Sequence, residues 1–398
     1  MTEYRPARMK VMVVVGARPN FMKAAPIIER MKRFTDYLDP ILVHTGQHYD
    51  RQLSQLFFDE LKMPKPELHL GVGSGTHAVQ TAGIMMEFEK VVLEDTPHLI
   101  VVVGDVNSTL ACALVAAKCK ILIAHIEAGL RSFDMGMPEE INRIMTDRIA
   151  DFHFTTESSA CQNLLNEGAD ESTIFFVGNV MIDSLLDHIK IARSRGILNQ
   201  LGLEMKDYAL LTLHRPENVD DPRTLKKILG AVNSVAERIP VIFPCHPRTR
   251  LNIDKFKLSS YFDETGIRLI DPVGYLDFLK LESEAAMVLT DSGGIQEETT
   301  VLNIPCLTLR KSTERPVTLS EGTNILVGFY PEKIVAAAEN ILNGNVKTGK
   351  SPKYWDGRAA ERIVDVFMNI RKILFEPDSI KEGTDKVRMV REAIVAGG

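Results

Sequence analysis

Short runs of β-branched and aliphatic residues alternate with helix-like stretches along most of this chain, and this alternation constrains the fold more than any other feature. Runs that are apolar on both faces and separated by helices are typical of central parallel strands. In the first half, the runs predicted as strands are Val11–Val15, Ile41–His44, Leu99–Val103, Ile121–Ile126, Phe152–Thr155 and Ile174–Val177. The pattern therefore predicts a doubly wound α/β sheet.

The same pattern starts again in the second half, where the predicted strands are Ala209–Leu213, Val241–Pro244, Ile267–Ile270, Met287–Thr290 and Cys306–Thr308. Because 398 residues are too many for one ordinary core, we expect two Rossmann-like domains, over residues 1–184 and 185–375. The charged stretch His188–Gly202 is interpreted as the linker region. Residues 376–398 form a polar tail, either with a peripheral helix near Asp385–Ile394 or loose.

Composition argues against several classes of protein. The net charge is -6, with Lys and Arg spread along the chain, which is not typical of a nucleic-acid-binding protein. The cysteines form no C-x-x-C pair, which favours reduced thiols over disulfides or a zinc site. No secretory signal opens the chain, and no apolar run approaches the roughly 20 residues of a membrane helix. We therefore expect a soluble, cytoplasmic protein.

The first candidate site is the segment from Gly16 to Lys23, which follows a predicted strand and opens a helix. A helix start favours an anion, and Arg18 and Lys23 add positive charge there. Neither the dinucleotide-binding pattern G-x-G-x-x-G nor the Walker A pattern is present, which argues against NAD binding and ATP hydrolysis. The alternative is an ordinary strand-to-helix turn with solvated basic residues.

Carboxylates follow two further strands of the first domain. Asp105 is either a helix N-cap or a carboxylate in the site. Glu127 ends an apolar strand, which is an unfavourable position for a carboxylate that has no function. Glu139 and Glu140 lie in the first turn of a predicted helix, where Glu140 is interpreted as structural and Glu139 as either structural or functional. Grouped acids shift one another's pKa values and divide acid from base roles.

In the second domain, the segment Thr290–Glu298 carries the strongest signal. Ser292 is predicted to cap a helix, and Gly293 and Gly294 let the backbone approach a diphosphate closely. Glu298, about a turn and a half further on, is a candidate acceptor for ribose hydroxyls. The alternative is a capped helix with acids in its first turns.

Three other side chains of the second domain are candidates for ligand contact. His214 leaves a strand into a loop, which suits phosphate contact or proton transfer, or is a surface histidine. Arg315 is placed for a bidentate phosphate contact. Phe278 either stacks on a base or is a core aromatic.

Together these motifs resemble the non-hydrolysing UDP-N-acetylglucosamine 2-epimerase family. The resemblance runs in order from about Val11 to about Glu361, through the blocks G-A-R-P-N-F-M-K, G-D-V-N-S-T, H-I-E-A-G-L-R-S, M-P-E-E-I-N-R, L-H-R-P-E-N, C-H-P-R-T-R, T-D-S-G-G-I-Q-E-E and T-E-R-P. It implies a GT-B-like fold with the site in a central cleft between two Rossmann-like domains, and a last helix that crosses back onto the first domain. It also implies a homodimer and a reaction that needs neither NAD nor metal.

The resemblance also implies roles for individual residues. Those matching the family's UDP-binding residues are Arg18, His214, Phe278, Ser292, Gly293, Gly294, Glu298 and Arg315. Those matching its catalytic residues are the carboxylates Asp105, Glu127 and Glu139, with Lys23 and His214. The implied reaction is reversible C2 epimerisation of UDP-N-acetylglucosamine to UDP-N-acetylmannosamine. UDP leaves to give 2-acetamidoglucal and then adds back.

The sequence departs from the family pattern in three places. Asn20 stands where many members have Glu, the segment between Arg131 and Pro138 is short, and His246–Arg250 differs from the form associated with activation by substrate. Gln47 and Arg248 are the positions where such a regulatory site would lie.

Four alternatives stay open on the sequence alone. The first is the same reaction on UDP-2,3-diacetamido-glucuronic acid, a substrate with a carboxylate and a second acetamido group. The others are a hydrolysing epimerase, a retaining glycosyltransferase with the same architecture, and a non-catalytic sensor of nucleotide sugars. A sensor has no need of three carboxylates in its site.

Overall fold

A computed structural model of the chain describes residues 7–46, 64–262 and 266–375. The chain divides into two compact units. The first contains the described residues up to Ser184 together with those from Lys353 onwards, and the second is Leu185–Pro352.

Among the described residues, the first unit contains a seven-stranded parallel sheet in the order β3-β2-β1-β4-β5-β6-β7. Its strands are β1 (Met9–Val15), β2 (Leu38–His44), β3 (Leu68–His69), β4 (Leu99–Val103), β5 (Leu122–Ile126), β6 (Phe152–Thr155) and β7 (Ile174–Phe176). The strand order reverses between β1 and β4. In open α/β sheets, ligands bind outside the carboxyl ends of the strands at such a switch point.

Helices connect these strands. They are α1 (Arg18–Met31), α2 (His77–Asp95), α3 (Asn107–Lys118), α4 (Pro138–Ile149), α5 (Ser158–Asn166) and α6 (Val180–Arg193). Every residue of β4 is buried. That burial explains the continuous apolar run in the sequence, because helices cover both faces of the sheet.

The second unit repeats this architecture with a six-stranded parallel sheet in the order β10-β9-β8-β11-β12-β13 among the described residues. Its strands are β8 (Ala209–Thr212), β9 (Val241–Pro244), β10 (Ile267–Ile270), β11 (Met287–Thr290), β12 (Cys306–Thr308) and β13 (Asn324–Leu326). Its helices are α7 (Ile197–Leu201), α8 (Pro216–Val219), α9 (Pro222–Ala236), α10 (Pro247–Lys255), α11 (Tyr275–Glu284), α12 (Gly293–Leu302), α13 (Pro316–Ser320) and α14 (Pro331–Leu342).

The last described helix, α15 (Ala359–Phe375), belongs to the first unit. Its first turn is capped from another element. The Asp183 carboxylate accepts hydrogen bonds from the backbone N–H groups of Ala359 at 3.1 Å and Ala360 at 2.7 Å. Asp183 therefore satisfies two donors that a helix start leaves without an intrahelical partner. No helix among the described residues is both long enough and apolar enough to cross a membrane.

The sequence prediction of two doubly wound α/β domains is confirmed. The prediction of a linker over His188–Gly202 was wrong, because α6 continues to Arg193 and α7 occupies most of the remainder. Gly202 ends α7 in the left-handed conformation. The prediction of a helix near Asp385–Ile394 lies outside the described residues.

Candidate active site

Asn20 fixes the turn that leads from β1 into α1. Its side-chain oxygen accepts a hydrogen bond from the N–H of Ala17 at 3.0 Å, and its side-chain nitrogen donates to the carbonyl of Val103 at 2.9 Å. The buried Asn20 amide therefore ties this turn to the end of the neighbouring strand β4. For Arg18 the structure describes the backbone, at the first position of α1, and not the side chain.

Lys23 and Glu127 form a buried ion pair at the carboxyl end of the first sheet. The Lys23 Nζ donates directly to Glu127 Oε2, and the two residues are 9% and 5% exposed. Glu127 has a φ of 73°, the left-handed conformation that costs a residue with a side chain roughly 1–2 kcal/mol. Such a conformation persists only where the surroundings impose it, and it often marks a functional site.

Gly104 makes room for this ion pair. It has a φ of 68°, and a Cβ at this position would lie 3.2 Å from Glu127 Oε2 and 3.3 Å from Asn20 Nδ2. Any side chain would therefore press on the carboxylate and on the asparagine that fixes the adjacent turn.

Asp105 lies beside Gly104 and is held by an arginine. Its carboxylate is ion-paired with Arg143 Nη2, and its backbone carbonyl accepts from Asn142 Nδ2 at 2.8 Å. The N-cap interpretation of Asp105 was wrong, because Val106 occupies the N-cap position of α3. With 28% of its side chain exposed, the Asp105 carboxylate is reachable from solvent.

Glu140 and Glu139 differ in their surroundings although they are neighbours in α4. Glu140 is buried, accepts from the N–H groups of Ser132 and Phe133 at 2.9 Å, and pairs with Arg143 at 2.8 Å. These contacts agree with the structural role predicted for it. Glu139 is half-buried, and no hydrogen bond or ion pair joins it to another described residue.

Behind the Gly104 turn lies a buried histidine for which the sequence suggested no role. His125 Nδ1 is 2.6 Å from Asp147 Oδ1, and its Nε2 is 2.8 Å from the carbonyl oxygen of Gly104. Asp147 also pairs with Arg131 at 2.7 Å. Burial alone would raise the pKa of Asp147, but the neighbouring His125 and Arg131 lower it to about 2. This network holds the Gly104 carbonyl, and thus the turn that carries Asp105, in place.

In the second unit, a buried aspartate organises the loop after β8. Asp291 accepts hydrogen bonds from the N–H of Arg215 at 2.9 Å and from Asn218 Nδ2 at 3.1 Å, and its Oδ1 lies 3.0 Å from His214 Nδ1. Burial alone would raise the pKa of Asp291, but His214 and these donors lower it. No described residue hydrogen-bonds to His214 Nε2, and the side chain is 43% exposed. Asp291 therefore orients a histidine whose other nitrogen is available to a ligand.

The start of α12 has the features of an anion site. Ser292 occupies the N-cap position, but its side chain makes no capping hydrogen bond, so that part of the prediction was wrong. A Cβ on Gly293 would lie 2.9 Å from Glu314 Oε1 and 3.4 Å from Arg315 Nη1. A larger residue here would therefore displace the paired Glu314 and Arg315 side chains, and the first N–H groups of the helix have no intrahelical partner.

Arg315 is held against this helix start by two carboxylates. Its Nε donates to Glu297 Oε1, and its Nη1 lies 3.0 Å from Glu314 Oε1. Arg310 also pairs with Glu314, at 2.8 Å. The Arg315 side chain is 7% exposed, so it is pre-positioned rather than solvated.

Glu298 and Phe278 both lie close to the core of the second unit. Glu298 is 3% exposed and accepts a hydrogen bond from the Tyr275 hydroxyl at 2.9 Å. Phe278 is half-buried and packs against a core cluster that includes Ile295. Of the two positions considered for regulation, Arg248 is exposed and pairs with Asp220, whereas Gln47 lies outside the described residues.

Comparison with known proteins identifies the family to which the chain is similar. Residues 31–368 match the family described as UDP-N-acetylglucosamine 2-epimerase. The chain is 45% identical to the UDP-N-acetylglucosamine 2-epimerase of Methanocaldococcus jannaschii, over 90% of this chain and 98% of that one. It is 42% identical to the UDP-2,3-diacetamido-2,3-dideoxy-D-glucuronate 2-epimerase of Pseudomonas aeruginosa, over 90% and 99% of the two chains. The crystal structure of the M. jannaschii enzyme in complex with UDP-GlcNAc and UDP matches with a TM-score of 0.83 and 44% identity, over 90% and 99% of the two chains.

Proposed function

The chain belongs to the UDP-N-acetylglucosamine 2-epimerase family, and from this premise we propose that it interconverts UDP-N-acetylglucosamine and UDP-N-acetylmannosamine by inverting C2. The observation that carries the proposal is the buried Lys23–Glu127 pair, with Glu127 in a left-handed conformation beside a glycine that leaves room for it. An ion pair with only a structural role does not require a left-handed backbone conformation at its carboxylate residue.

The first unit supplies the acid–base chemistry. A carboxylate removes the C2 hydrogen while the C1–O bond to UDP breaks, which leaves 2-acetamidoglucal. Inversion then requires that a proton return to the opposite face of C2, so two groups must exchange protons with the sugar. Asp105, Glu127 and Glu139 are the candidates. Because Lys23 hydrogen-bonds to Glu127, that pair can hold a proton in one half-reaction and release it in the other.

The second unit holds the leaving group. The N–H groups of Gly293 and Gly294 and the positive end of the α12 dipole favour the diphosphate, and His214 and Arg315 add charge-assisted contacts. Ser292 and Arg18 complete the proposed phosphate contacts. These groups stabilise the negative charge that develops on UDP as it leaves. Stabilising this charge is what catalysis of an elimination requires.

The nucleoside is assigned to α11 and α12, with Phe278 beside the uracil and Glu298 on the ribose. The route uses only acid–base groups and cations of the chain and changes no net oxidation state. We therefore propose that it requires neither NAD nor a metal ion. Five free cysteines fit a reducing compartment, and we place the enzyme in the cytoplasm.

A second candidate substrate is UDP-2,3-diacetamido-glucuronic acid. The 42% identity to the P. aeruginosa epimerase named for such a substrate supports it. The same elimination and re-addition applies, because the reacting atoms C1 and C2 are unchanged.

We further propose that the protein is a homodimer that pairs through α2. Val79, Met86 and Leu93 are 68%, 62% and 66% exposed and recur every seven residues, so they form an apolar stripe along one face of the helix. Ile141 and Met145 of α4 are also exposed. Exposed apolar side chains repeated along one helix face suit a second copy of the same chain related by a two-fold axis.

The test of the activity is incubation with UDP-N-acetylglucosamine in heavy water, without added NAD or metal, followed by proton NMR. We expect UDP-N-acetylmannosamine with deuterium at C2, and deuterium at C2 of the recovered substrate. No epimer and no exchange would refute the leading assignment. Exchange seen only with the diacetamido-uronic acid substrate would establish the second candidate, and stoichiometric free UDP would indicate a hydrolysing enzyme.

A further inference from the structure

Two buried carboxyl groups of the second unit lie side by side, on the packed helices α11 and α12. Glu282 of α11 is fully buried and Glu298 of α12 is 3% exposed, and their side chains are in contact. Two carboxyl groups this close together and out of water cannot both be ionised, so one of them carries a proton, which it can donate in a hydrogen bond to the other. The pair therefore holds a proton that neither group would keep in water near neutral pH.

The surroundings decide which group keeps this proton. Among the described residues, no N–H or hydroxyl group donates to either oxygen of Glu282, so an ionised Glu282 would be a buried charge without a donor. Glu298 accepts from the Tyr275 hydroxyl. Burial raises the pKa of Glu282 well above its usual range and the pKa of Glu298 to about 7. The proton therefore stays on Glu282, and Glu298 is the group that ionises.

We propose that Glu282 is a positioning residue for the nucleoside: it donates a hydrogen bond to the Glu298 carboxylate and holds it ready to accept the ribose hydroxyls of UDP. The inference rests on the proposed function, in which Glu298 binds the ribose. A carboxylate has about four lone-pair sites. Tyr275 and Glu282 occupy two of them from α11, which leaves acceptor capacity for a ligand.

This arrangement makes ribose recognition depend on pH. As the pH falls through about 7, Glu298 takes up a proton of its own and becomes a weaker acceptor. Among the described residues, the other titratable groups that face the pair are Tyr275, Glu297 and Cys306 of β12. His188 lies against the Tyr275 ring, and Glu297 is paired with Arg315. Burial raises the pKa of Tyr275 well above 10 and that of Cys306 to about 12. Both therefore stay protonated throughout this range.

The test compares UDP with 2′,3′-dideoxy-UDP, measured by calorimetry on the full-length protein between pH 5.5 and 8.5. Both ligands carry the same diphosphate, so the ratio of their Kd values isolates the ribose hydroxyls and cancels the titration of the phosphates. We expect wild-type protein to prefer UDP by about tenfold at pH 8, with the preference falling towards unity at pH 5.5.

Two substitutions distinguish the effect of the hydrogen-bond donor of Glu282 from the effect of the volume that its side chain fills. Glu282→Gln keeps an N–H donor, and we expect it to keep the preference for UDP at pH 8 to within about threefold. Glu282→Met fills a similar volume without a donor, so we expect most of the preference for UDP to be lost. The pH at which the remaining preference is half lost should be higher than in wild-type protein. Glu284→Gln is the matched control on the same helix, because Glu284 pairs with Lys280 and not with Glu298.

Infrared difference spectra between wild-type protein and Glu282→Gln give a direct readout that does not depend on the folding of Glu282→Met. We expect the carbonyl band of a protonated carboxylic acid at pH 8 in wild-type protein and its loss in Glu282→Gln. Absence of that band overturns the inference.

Four results of the binding measurements would refute the inference. Equal weakening of both ligands in Glu282→Met shows a merely structural role and overturns the inference. Loss of the preference in Glu282→Gln as complete as in Glu282→Met also overturns it. A wild-type ratio near unity at every pH refutes the inference while UDP binding, and the proposed function with it, stands. Wild-type protein that binds no UDP refutes both.

Discussion

Lys23 and Glu127, 104 residues apart in the sequence, form a buried ion pair at the carboxyl end of the first sheet. The pair combines a carboxylate and a proton donor in one place. The sequence singles out each residue separately, but it does not show that the two side chains meet. Their pairing in a buried position distinguishes them from surface charges, which contribute little to stability or chemistry.

Glu127→Gln should abolish most of the epimerase activity while leaving UDP binding intact. The amide cannot accept a proton from carbon, and general acid–base groups contribute about a hundred- to ten-thousandfold. We expect kcat and C2 deuterium exchange to fall by about a hundredfold or more, with the Kd for UDP changed by less than about threefold. Glu29→Gln, which breaks the exposed pair with Lys32, is the matched control. Full activity of Glu127→Gln would remove Glu127 from the mechanism.

Gly104→Ala should reduce activity by about ten- to a hundredfold, because small displacements of catalytic groups have effects of this size. The added Cβ would lie 3.2 Å from Glu127 Oε2, and the φ of 68° is strained for alanine. Gly230→Ala in α9 is the control, because nothing lies within 4 Å of its Cβ. It should be as active as wild-type protein and slightly more stable. Equal activity of the two variants would show that Gly104 does not set the position of Glu127.

The elements that the sequence predicted well are those whose signal is local. Central strands such as β4 are continuous apolar runs, because both faces of the sheet are covered. Strands β3 and β13 escaped prediction because β3 has only two residues and β13 begins with a polar asparagine, so neither is a clear apolar run. The charge and glycine of the region from His188 to Gly202 suggest a linker, but its Lys190 and Arg193 lie on the exposed face of α6.

Candidate residues were found where a side chain follows a strand, and missed where its role depends on a distant partner. Asp291 is part of a conspicuous motif, but its contacts are with the backbone of His214 and Arg215, which no spacing rule indicates. The bond from His125 to the Gly104 carbonyl is equally invisible in the sequence. The available signal was a histidine inside an otherwise apolar strand, where a buried ring must find partners.

Asp183→Ala should destabilise the docking of α15 on the first unit. It removes both acceptors for the first turn of that helix, and a lost cap costs about 0.5–2 kcal/mol. Urea unfolding followed by fluorescence of Trp355, just before α15, measures the change. Asp187→Ala, one turn further along α6 and exposed, is the control and should change the free energy of unfolding by less than about 0.5 kcal/mol. Equal effects at both positions would contradict the capping role.

Met86→Lys should convert the proposed dimer to monomers. A lysine at the centre of the apolar stripe would place two like charges near the two-fold axis and leave them poorly solvated. Sedimentation velocity at several concentrations measures the oligomeric state. Leu251→Lys is the control, because Leu251 is 70% exposed and lies on α10. A wild-type protein that sediments as a monomer, or a dimer unaffected by Met86→Lys, would rule out pairing through α2.

Asp147 should make the first unit sensitive to acid. Its pKa in the folded protein, about 2, lies below the ordinary value of 3.8. The resulting stabilisation, about 2 kcal/mol, is complete above about pH 4 and is lost as the pH falls towards 2. Asp147→Asn takes one of its two carboxylate partners from the buried Arg131, which keeps its pair with Glu167. We expect a loss of about 1.5–3 kcal/mol at pH 7, the size of a hydrogen bond to a charged group, and a shallower further loss in acid.

Urea unfolding of wild-type protein, Asp147→Asn and the exposed control Asp134→Asn between pH 7 and pH 2 tests this prediction. The control should follow wild-type protein throughout, since an exposed carboxylate of this kind contributes little to stability. If Asp147→Asn instead lost stability between pH 4 and pH 2 as steeply as wild-type protein, the acid sensitivity would come from other carboxylates. The His125–Asp147–Arg131 network would then not be its source.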